Sequence, residues 1–320
     1  MINKKTQNRI AAIDMGTNSF HLVIVEMNED GTFNFLDRER EVIRLGSQKG
    51  KDLSIISKEE SETAIKILSN FRNLAKHYNA KIRAISTSAV REAKNQIEFL
   101  SSVLEKTGIK VEVADGRDEA KLIFRGIQKA LEINDKKVLC IDIGGGSTEF
   151  IYSENGKIRY AESIKIGAVR LSKLFFPDYL ISDEAVKNCI DYVENQILEN
   201  KNIKRDVKID FGVGVSGTVD TIYHLSQVKK HARLKDSLNG YRFSVKDFEG
   251  FYNQIIQLKT PAERILVPGM EAKRADIIPA GMIILKKIFD LFELKEIVIS
   301  EYALREGIVL DTAEKLELSK

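Results

Sequence analysis

Three consecutive glycines separate two carboxylates in the stretch CIDIGGGSTEF, which begins at Cys140. Because glycine has no Cβ, the run 144–146 can turn successive backbone N–H groups toward one point, which makes an anion-binding nest suited to phosphate. The flanking Asp142 and Glu149 would repel a phosphate unless a divalent cation lay between them. Mg²⁺ fits that need, since it is held by one or two carboxylates together with phosphate oxygens. The stretch therefore predicts a site for phosphate and Mg²⁺ together, with Ser147 and Thr148 as added hydroxyl donors.

The same pattern occurs earlier in the chain. Residues 9–35, RIAAIDMGTNSFHLVIVEMNEDGTFNF, parallel residues 138–163, VLCIDIGGGSTEFIYSENGKIRYAES. Each copy reads as a strand ending near an Asp, a turn with hydroxyl or amide residues, a second strand, an Asp-Gly or Asn-Gly turn, and a third strand. Asp14 and Asp142 occupy equivalent places. A duplicated domain with two facing hairpin loops is the simplest interpretation, and the repetition favours a functional site over tight hairpins with incidental acids.

The elements that must position these loops alternate between helix and strand. Ser57 and Glu60 form a capping box that predicts a helix to about Tyr78. Further helices are expected at 95–107, at 118–133, from Ser182 to about Asn200, and from Thr260 onward; strands are expected at 81–89, 110–114, 207–215 and 296–300. This alternation predicts an α/β architecture of mixed sheets flanked by helices.

Length and composition narrow the class of protein. At 320 residues the chain is expected to form two domains. Its 50 Lys and Arg against 47 Asp and Glu give a net charge of +3, too balanced for wholesale nucleic-acid binding. Cys140 and Cys189 are too few for a disulfide scaffold, which predicts reduced thiols and a cytoplasmic protein. The N-terminal stretch does not read as a signal peptide, and the longest apolar stretch, IIPAGMIIL, is about half of a membrane span.

Two other stretches could carry a functional site but have simpler structural explanations. GVGVSG, residues 212–217, matches the dinucleotide fingerprint, but it is not at a first strand and the only acid near the required spacing is Asp236 in a polar loop. In ADGRDEAKLIFRG, residues 114–126, Asp118 and Glu119 lie at a helix start, where acids usually just complement the helix dipole.

Taken together, these stretches resemble the exopolyphosphatase and guanosine pentaphosphate phosphohydrolase family. The motifs that carry the resemblance run along nearly the whole chain: AAIDMGTNSFHLVI, ISTSAVREAKN, DGRDEAKLIFRG, LCIDIGGGSTEF, KIGAVRLSKLF, GVGVSGT, KRADIIPAGMIIL and EYALREGIVL. The resemblance implies two ribonuclease-H-like domains of the actin-like ATPase superfamily around a central cleft. Domain I would comprise residues 1–124 and 303–320, and domain II residues 125–302.

The resemblance also implies roles for single residues. Glu119 matches the catalytic glutamate that activates the attacking water. Asp142 and Glu149 match the metal-binding acids, with Asp14 as a further candidate for Mg²⁺. The phosphate-binding residues would be Thr17, Asn18, Ser19, Arg91, Gly144, Gly145, Gly146, Ser147, Thr148 and Arg274. Gly214, Ser216, Gly217 and Thr218 match the position where related ATPases hold adenosine. His21 stands where some members have Arg and others His, which leaves guanosine recognition open.

The implied reaction is Mg²⁺-assisted, in-line attack of water on the terminal phosphoryl group of inorganic polyphosphate, with short chains preferred and cleavage distributive. The alternatives are the same chemistry on pppGpp, a sugar-kinase-like or chaperone-like ATPase, and a non-catalytic phosphate or alarmone sensor that binds pppGpp or ppGpp. A homodimer is a further expectation, and neither a nucleic acid nor a membrane is an expected partner.

Overall fold

The computed structural model describes residues 8–46, 54–233 and 237–316. The chain divides into two compact units. Unit 1 consists of Met1–Gly126 together with Ala303–Lys320, and unit 2 consists of Ile127–Tyr302. Asp236 of the dinucleotide fingerprint lies outside the described residues.

Unit 1 contains a five-stranded mixed sheet in the order β3-β2-β1-β4-β5. β1 and β2 pair antiparallel, as do β2 and β3, while β4 lies parallel to β1 and β5 parallel to β4. The strands are β1 Arg9–Met15, β2 Ser19–Met27, β3 Phe33–Val42, β4 Lys81–Ser86 and β5 Val111–Val113. The helices are α1 Lys58–His77, α2 Ser88–Arg91, α3 Gln96–Thr107, α4 Gly116–Ala130 and α11 Leu304–Lys315. The last turn of α4, from Ile127 onward, belongs to unit 2.

Unit 2 contains a six-stranded sheet in the order β10-β11-β9-β6-β7-β8. Its strands are β6 Lys137–Ile143, β7 Thr148–Glu154, β8 Lys157–Ile164, β9 Phe211–Val215, β10 Arg242–Ser244 and β11 Glu296–Ile299. Its helices are α5 Ala168–Phe175, α6 Asp183–Glu199, α7 Gly217–Lys229, α8 Val245–Gln257, α9 Pro261–Ile265 and α10 Ile278–Leu291. The order β8-β7-β6-β9-β11 repeats the order of unit 1 strand for strand, so the predicted α/β class and ribonuclease-H-like architecture are confirmed.

Alternation of side chains along β1 explains why Asp14 projects from the face of the sheet opposite the apolar core. Ala11, Ile13 and Met15 lie in one apolar core of unit 1. Asp14, between two of them, projects to the opposite face because successive side chains alternate across a strand. In unit 2, Leu139, Ile141 and Ile143 of β6 enter the core in the same way, and Asp142 projects to the other face.

The predictions for single elements fare best where the signal is local. The capping boxes at Ser57 and Thr260 are present, and Ser182 caps α6. The hairpin turn at Asn155-Gly156 has positive φ at both residues, as a type I′ turn requires. Three predicted ranges differ by two or more residues at an end: the strand 81–89 ends at Ser86, the strand 207–215 starts at Phe211, and the helix 118–133 is α4, Gly116–Ala130.

The two cysteines are buried and free. Burial raises the pKa of the Cys189 thiol to about 12 and the pKa of Cys140 above its ordinary range, so both are protonated and inert at neutral pH. Within the described ranges, no helix has both the length and the apolar character needed to cross a membrane.

Candidate active site

The glycine turn of unit 2 is closed by a hydrogen bond of 3.0 Å from Gly144 N–H to the Ser147 carbonyl. The turn rests on the start of α5, where the Ala168 N–H donates to the Gly144 carbonyl at 2.9 Å and the Val169 N–H to the Gly145 carbonyl at 3.0 Å. The Arg170 Nε–H donates to the Gly146 carbonyl at 2.7 Å. Three successive carbonyls therefore face α5.

The direction of those carbonyls fixes the direction of the N–H groups. In a trans peptide the N–H of the next residue points opposite to the carbonyl. The N–H groups of Gly145, Gly146 and Ser147 consequently point away from α5. The predicted anion nest requires this direction, and the binding of phosphate there stays a prediction. Gly167 allows this approach, since a Cβ built there would lie 2.3 Å from the Gly145 carbonyl oxygen.

Two acids lie beside this turn on neighbouring strands. Asp142 of β6 stands directly opposite Glu149 of β7, so the two side chains share one face of the sheet. Glu149 is only 1% exposed, and its Oε1 accepts hydrogen bonds of 2.7 Å from both the Ser147 and the Ser163 hydroxyl. The carboxylate of Glu149 is thus held in one orientation. Ser163 was missed in the sequence, because only the register of β7 against β8 brings it there.

The acids fit a magnesium ion, which takes one or two carboxylates and fills its remaining positions with water and phosphate oxygens. Among the described residues there is no cluster of three or more His, Cys, Asp or Glu side chains that could hold a metal. Substrate oxygens and water would therefore have to supply the other ligands. The third metal candidate, Asp14, lies in unit 1 and stands opposite His21 instead of a second acid.

The Thr148 hydroxyl does not face the turn. Thr148 is fully buried and donates a short hydrogen bond to the Ile166 carbonyl. Ser147, 4% exposed, donates to Glu149. Backbone N–H groups, more than these hydroxyls, are therefore the donors that unit 2 offers to an anion.

The turn of unit 1 repeats the backbone of the glycine turn with different side chains. Its Gly16 N–H donates to the Ser19 carbonyl at 3.2 Å. The Ser19 hydroxyl lies 2.8 Å from Nε2 of His21. Within the described ranges, Oγ1 of Thr17 and Oδ1 of Asn18 are buried and have no hydrogen-bond partner. Unsatisfied buried polar atoms in a native turn call for an explanation, and a ligand is one.

Glu119 lies in the first turn of α4 and is 5% exposed. Its Oε2 accepts a hydrogen bond of 2.7 Å from Nη1 of Arg91, and the same Nη1 donates to the Ala114 carbonyl at 2.9 Å. Arg91 was predicted to bind phosphate; the structure pairs it with the predicted base, and its binding of phosphate stays a prediction. This ion pair fixes the Glu119 carboxylate in position.

The start of α4 is fixed by a side chain. Oδ1 of Asp115 accepts hydrogen bonds of 2.8 Å from the N–H groups of Arg117 and Asp118. The backbone hydrogen bond from Asp118, followed by that from Arg117, holds the pKa of Asp115 below its ordinary value. Asp118 itself is exposed and pairs with Lys121. Of the two adjacent acids, only Glu119 is turned into the protein.

The predicted nucleotide-like loop joins β9 to α7. Gly212 and Gly214 lie inside β9, where added Cβ atoms would meet Leu294 and Val219 side chains at 3.0 and 2.7 Å. Packing inside a buried strand therefore accounts for both glycines, and a role of Gly214 in nucleotide binding stays a prediction. Thr218 is 3% exposed and packs against Gly281.

Ser216 and Gly217 form the part of that loop that approaches a cation. Ser216 has φ of 71°, and its hydroxyl donates to the Ile143 carbonyl at 2.8 Å. A Cβ on Gly217 would lie 1.5 Å from Cζ of Arg274, so only glycine lets this guanidinium lie against the start of α7. The structure thus brings Arg274 next to two of the predicted loop residues.

The segment that carries Arg274 is anchored by a buried arginine that the sequence did not single out. Arg264 is fully buried and donates to the carbonyls of Ala275, Leu258 and Tyr179 at 2.6, 3.0 and 2.8 Å. Burial lowers the pKa of Arg264 from its ordinary value. Three backbone segments are therefore joined at one side chain.

Comparison with known proteins gives a consistent result. The family model described as the Ppx/GppA phosphatase family matches residues 23–316. A bifunctional 3-dehydroquinate synthase/phosphatase of Fusobacterium nucleatum is 31% identical over 98% of this chain and 48% of its own length. A guanosine-5'-triphosphate,3'-diphosphate pyrophosphatase of Vibrio vulnificus is 28% identical over 96% of this chain and 59% of its own length. The chain thus spans about half the length of these curated relatives.

Solved structures match over nearly their full length. A crystal structure of an exopolyphosphatase from Cytophaga hutchinsonii has a TM-score of 0.88 and 30% identity, and the match covers 96% of this chain and 98% of that one. The Aquifex aeolicus member of the same family has a TM-score of 0.79 and 26% identity, with 96% and 98% covered.

Proposed function

This chain belongs to the Ppx/GppA phosphatase family, and we propose that it is a hydrolase that releases the terminal orthophosphate of inorganic polyphosphate. The observation that carries the proposal is the glycine turn, whose carbonyls face α5 and whose N–H groups face the opposite way. Such a preorganised set of N–H donors stabilises the charge that spreads over the phosphoryl oxygens in a loose transition state.

Glu119 is the proposed general base. Its carboxylate is fixed by the hydrogen bond from Arg91 and is proposed to accept the proton of the attacking water. A positioned base of this kind is worth roughly 10²–10⁴-fold in rate. The exposed neighbour Asp118 has no comparable support, since it pairs with Lys121 at the surface.

Asp142 and Glu149 are the proposed holders of Mg²⁺, which would neutralise phosphate charge near the glycine turn. The Ser147 and Ser163 hydroxyls keep the Glu149 carboxylate in one orientation. The site of action is proposed to be the cytoplasm and the assembly a homodimer.

The second candidate substrate is pppGpp, whose 5′ end presents the same phosphoanhydride to the same turn. It is favoured by one finding, the similarity to a relative named for hydrolysis of guanosine-5'-triphosphate,3'-diphosphate. A single assay separates the candidates: phosphate release from polyphosphates of defined length and from pppGpp, each titrated with Mg²⁺. Higher kcat/KM on polyphosphate supports the proposal, higher kcat/KM on pppGpp replaces the substrate, and binding without release from either would indicate a sensor.

A further inference from the structure

The row of side chains next to the turn differs in charge between the two units. In unit 2 the row across β6, β7 and β8 is Asp142, Glu149 and Ser163, which is acidic. In unit 1 the strand register brings Asp14 opposite His21 and His21 opposite Arg40. The guanidinium of Arg40 thus takes the place of the Ser163 hydroxyl.

Directly opposed residues on antiparallel strands project from the same face, and neighbouring strands lie about 4.8 Å apart. The row Asp14–His21–Arg40 therefore extends roughly 10 Å from the centre of the sheet to its edge strand, β3. It lies one residue pair before the end of the hairpin that carries Thr17, Asn18 and Ser19. The turn residues Thr17, Asn18 and Ser19 and the opposed residues Asp14, His21 and Arg40 together form one polar surface. We call this whole surface the basic row.

Arg40 is half-buried, and nothing in the described part of the chain pairs with it. Its Nε is buried and makes no hydrogen bond there. Burying part of a guanidinium without a partner is costly, and an anion would offset that cost through charge-assisted hydrogen bonds. On the same hairpin, the buried Oγ1 of Thr17 is a hydroxyl that can donate, and it makes no hydrogen bond within the described ranges.

We propose that the basic row is a binding subsite for a phosphate of a polyphosphate chain other than the phosphate that is attacked, and that Arg40 is the residue that recognises it. This inference rests on the proposed function. Arg40 binds the anion directly, while Ser19 holds the ring of His21 within the row. The guanidinium suits this task because it offers several donors in a fixed plane that match phosphate oxygens.

The chain offers a matched control on the same strand. Arg38 lies two residues from Arg40, so it projects from the same face and carries the same charge. Arg38 is exposed and lies over the ring of Phe35, 3.5 Å from the centroid, away from the turn. Loss of general positive charge would affect Arg38→Ala and Arg40→Ala alike, whereas loss of a built site affects only Arg40→Ala.

The experiment measures equilibrium binding of tripolyphosphate and of orthophosphate, in a Glu119→Gln background that prevents turnover. We expect Arg40→Ala to weaken tripolyphosphate binding about tenfold, as the loss of one charge-assisted contact does. Orthophosphate binding and the Arg38→Ala variant should change by about twofold or less, since exposed charges are screened. Arg40→Lys should restore part of the affinity. Should Arg40→Ala prove unstable in a thermal melt, Arg40→Gln replaces it.

Two results would overturn the subsite: unchanged tripolyphosphate affinity in Arg40→Ala, or equal weakening in Arg38→Ala. Failure of the proposed function looks different. If the wild-type protein releases no phosphate from polyphosphate but its tripolyphosphate affinity depends on Arg40, the hydrolase proposal falls and the subsite stands.

Discussion

The turn after β1 in unit 1 and the turn after β6 in unit 2 close with the same hydrogen bond, from a glycine N–H to a serine carbonyl. Unit 2 then places glycines at the turn and acids in the adjoining row, whereas unit 1 places Thr17 and Asn18 at the turn and ends its row with Arg40. Unit 2 thus has two acids in the row beside its turn, whereas unit 1 has one acid, Asp14, together with His21 and Arg40. The proposals above assign a cation with its phosphate to the first surface and an anion to the second.

The two helices that carry or support proposed site residues, α4 and α5, also begin differently. α4 begins with the Asp115 side chain accepting from its N–H groups, and it carries the proposed base. The N–H groups at the start of α5 are satisfied by the Gly144 and Gly145 carbonyls, so that helix and turn form a single structure. Changes at the two places are therefore expected to have different consequences.

The largest effect is expected from Glu119→Gln in unit 1. The amide keeps the size of the side chain and an acceptor for Arg91 but removes the base, so kcat on polyphosphate should fall by roughly 10²–10⁴-fold while tripolyphosphate binding is retained. Single-turnover and steady-state phosphate release would measure this change. Asp118→Asn is the matched control and should leave kcat nearly unchanged. Activity of Glu119→Gln within about threefold of wild type, far outside that range, would move the base elsewhere.

Gly167→Ala tests the contact between the glycine turn of unit 2 and α5. A Cβ there would meet the backbone of Gly145 and Gly146, which has no flexible end to move aside, so the turn must shift. We expect a loss of about 1–3 kcal/mol in the free energy of unfolding together with reduced activity. Urea denaturation and phosphate release report the two effects.

Gly250→Ala is the control for that change, because an added Cβ at Gly250 in α8 meets nothing within 4 Å. In that helix interior the substitution should be neutral or stabilising. A Gly167→Ala protein as stable and active as wild type would show that the close contact between the turn and α5 is dispensable.

Asp142→Asn should raise the Mg²⁺ concentration needed for half-maximal activity and lower the maximal rate. The reason is that a neutral amide is a weaker ligand for a hard dication. Asp14→Asn is the informative partner, because Asp14 stands opposite His21 where Asp142 stands opposite Glu149. We expect the Mg²⁺ titration to shift for Asp142→Asn and not for Asp14→Asn. Equal shifts would mean that both turns serve the metal and that the contrast in charge has no functional meaning.

The smallest effect concerns the cap of α4. The pKa of Asp115 is lowered by its hydrogen bonds from the backbone N–H groups of Asp118 and Arg117. Its contribution to stability is therefore present above the unfolded-state pKa and is lost as pH falls through the folded-state pKa. Asp115→Ala should cost about 1 kcal/mol at neutral pH, as loss of an N-cap does. Chemical denaturation at neutral and acidic pH should show the difference between variant and wild type vanish in acid.

Whether a feature of the fold or of the candidate site could be predicted from the sequence depends on how far apart in the chain the interacting residues lie. Ser57 with Glu60 and Thr260 with Glu263 lie three residues apart, so their capping boxes were predictable. The fold class was predictable for a related reason, because the duplicated hairpins carry strong turn signals and an apolar alternation. The resemblance to the family rested on motifs spread along the whole chain.

The contacts that define the site depend on distant parts of the chain. The pairing of Arg91 with Glu119 requires β4 and β5 to lie side by side. The second hydroxyl on Glu149 comes from Ser163, through a register that shifts by a bulge near Tyr152. Both depend on strand pairing, and local propensity contains no information about either. The register also decided what Arg40 faces, although Arg40 is otherwise one of many charged residues on β3.

The return of the chain to unit 1 has a consequence for the order in which the protein can be built on the ribosome. α11 packs on β1 and β2, and Gly307 lets it approach the Leu122 carbonyl, where a Cβ would lie 1.9 Å away. Arg83 of β4 binds Asp311 of the same helix. The residues of unit 2 are contiguous and emerge together, whereas β1 and β2 must wait for α11, which is synthesised after unit 2, before it can cover their sheet. A nascent chain arrested just after Tyr302 should therefore hold a protease-resistant unit 2 joined to an N-terminal segment that is still cleaved.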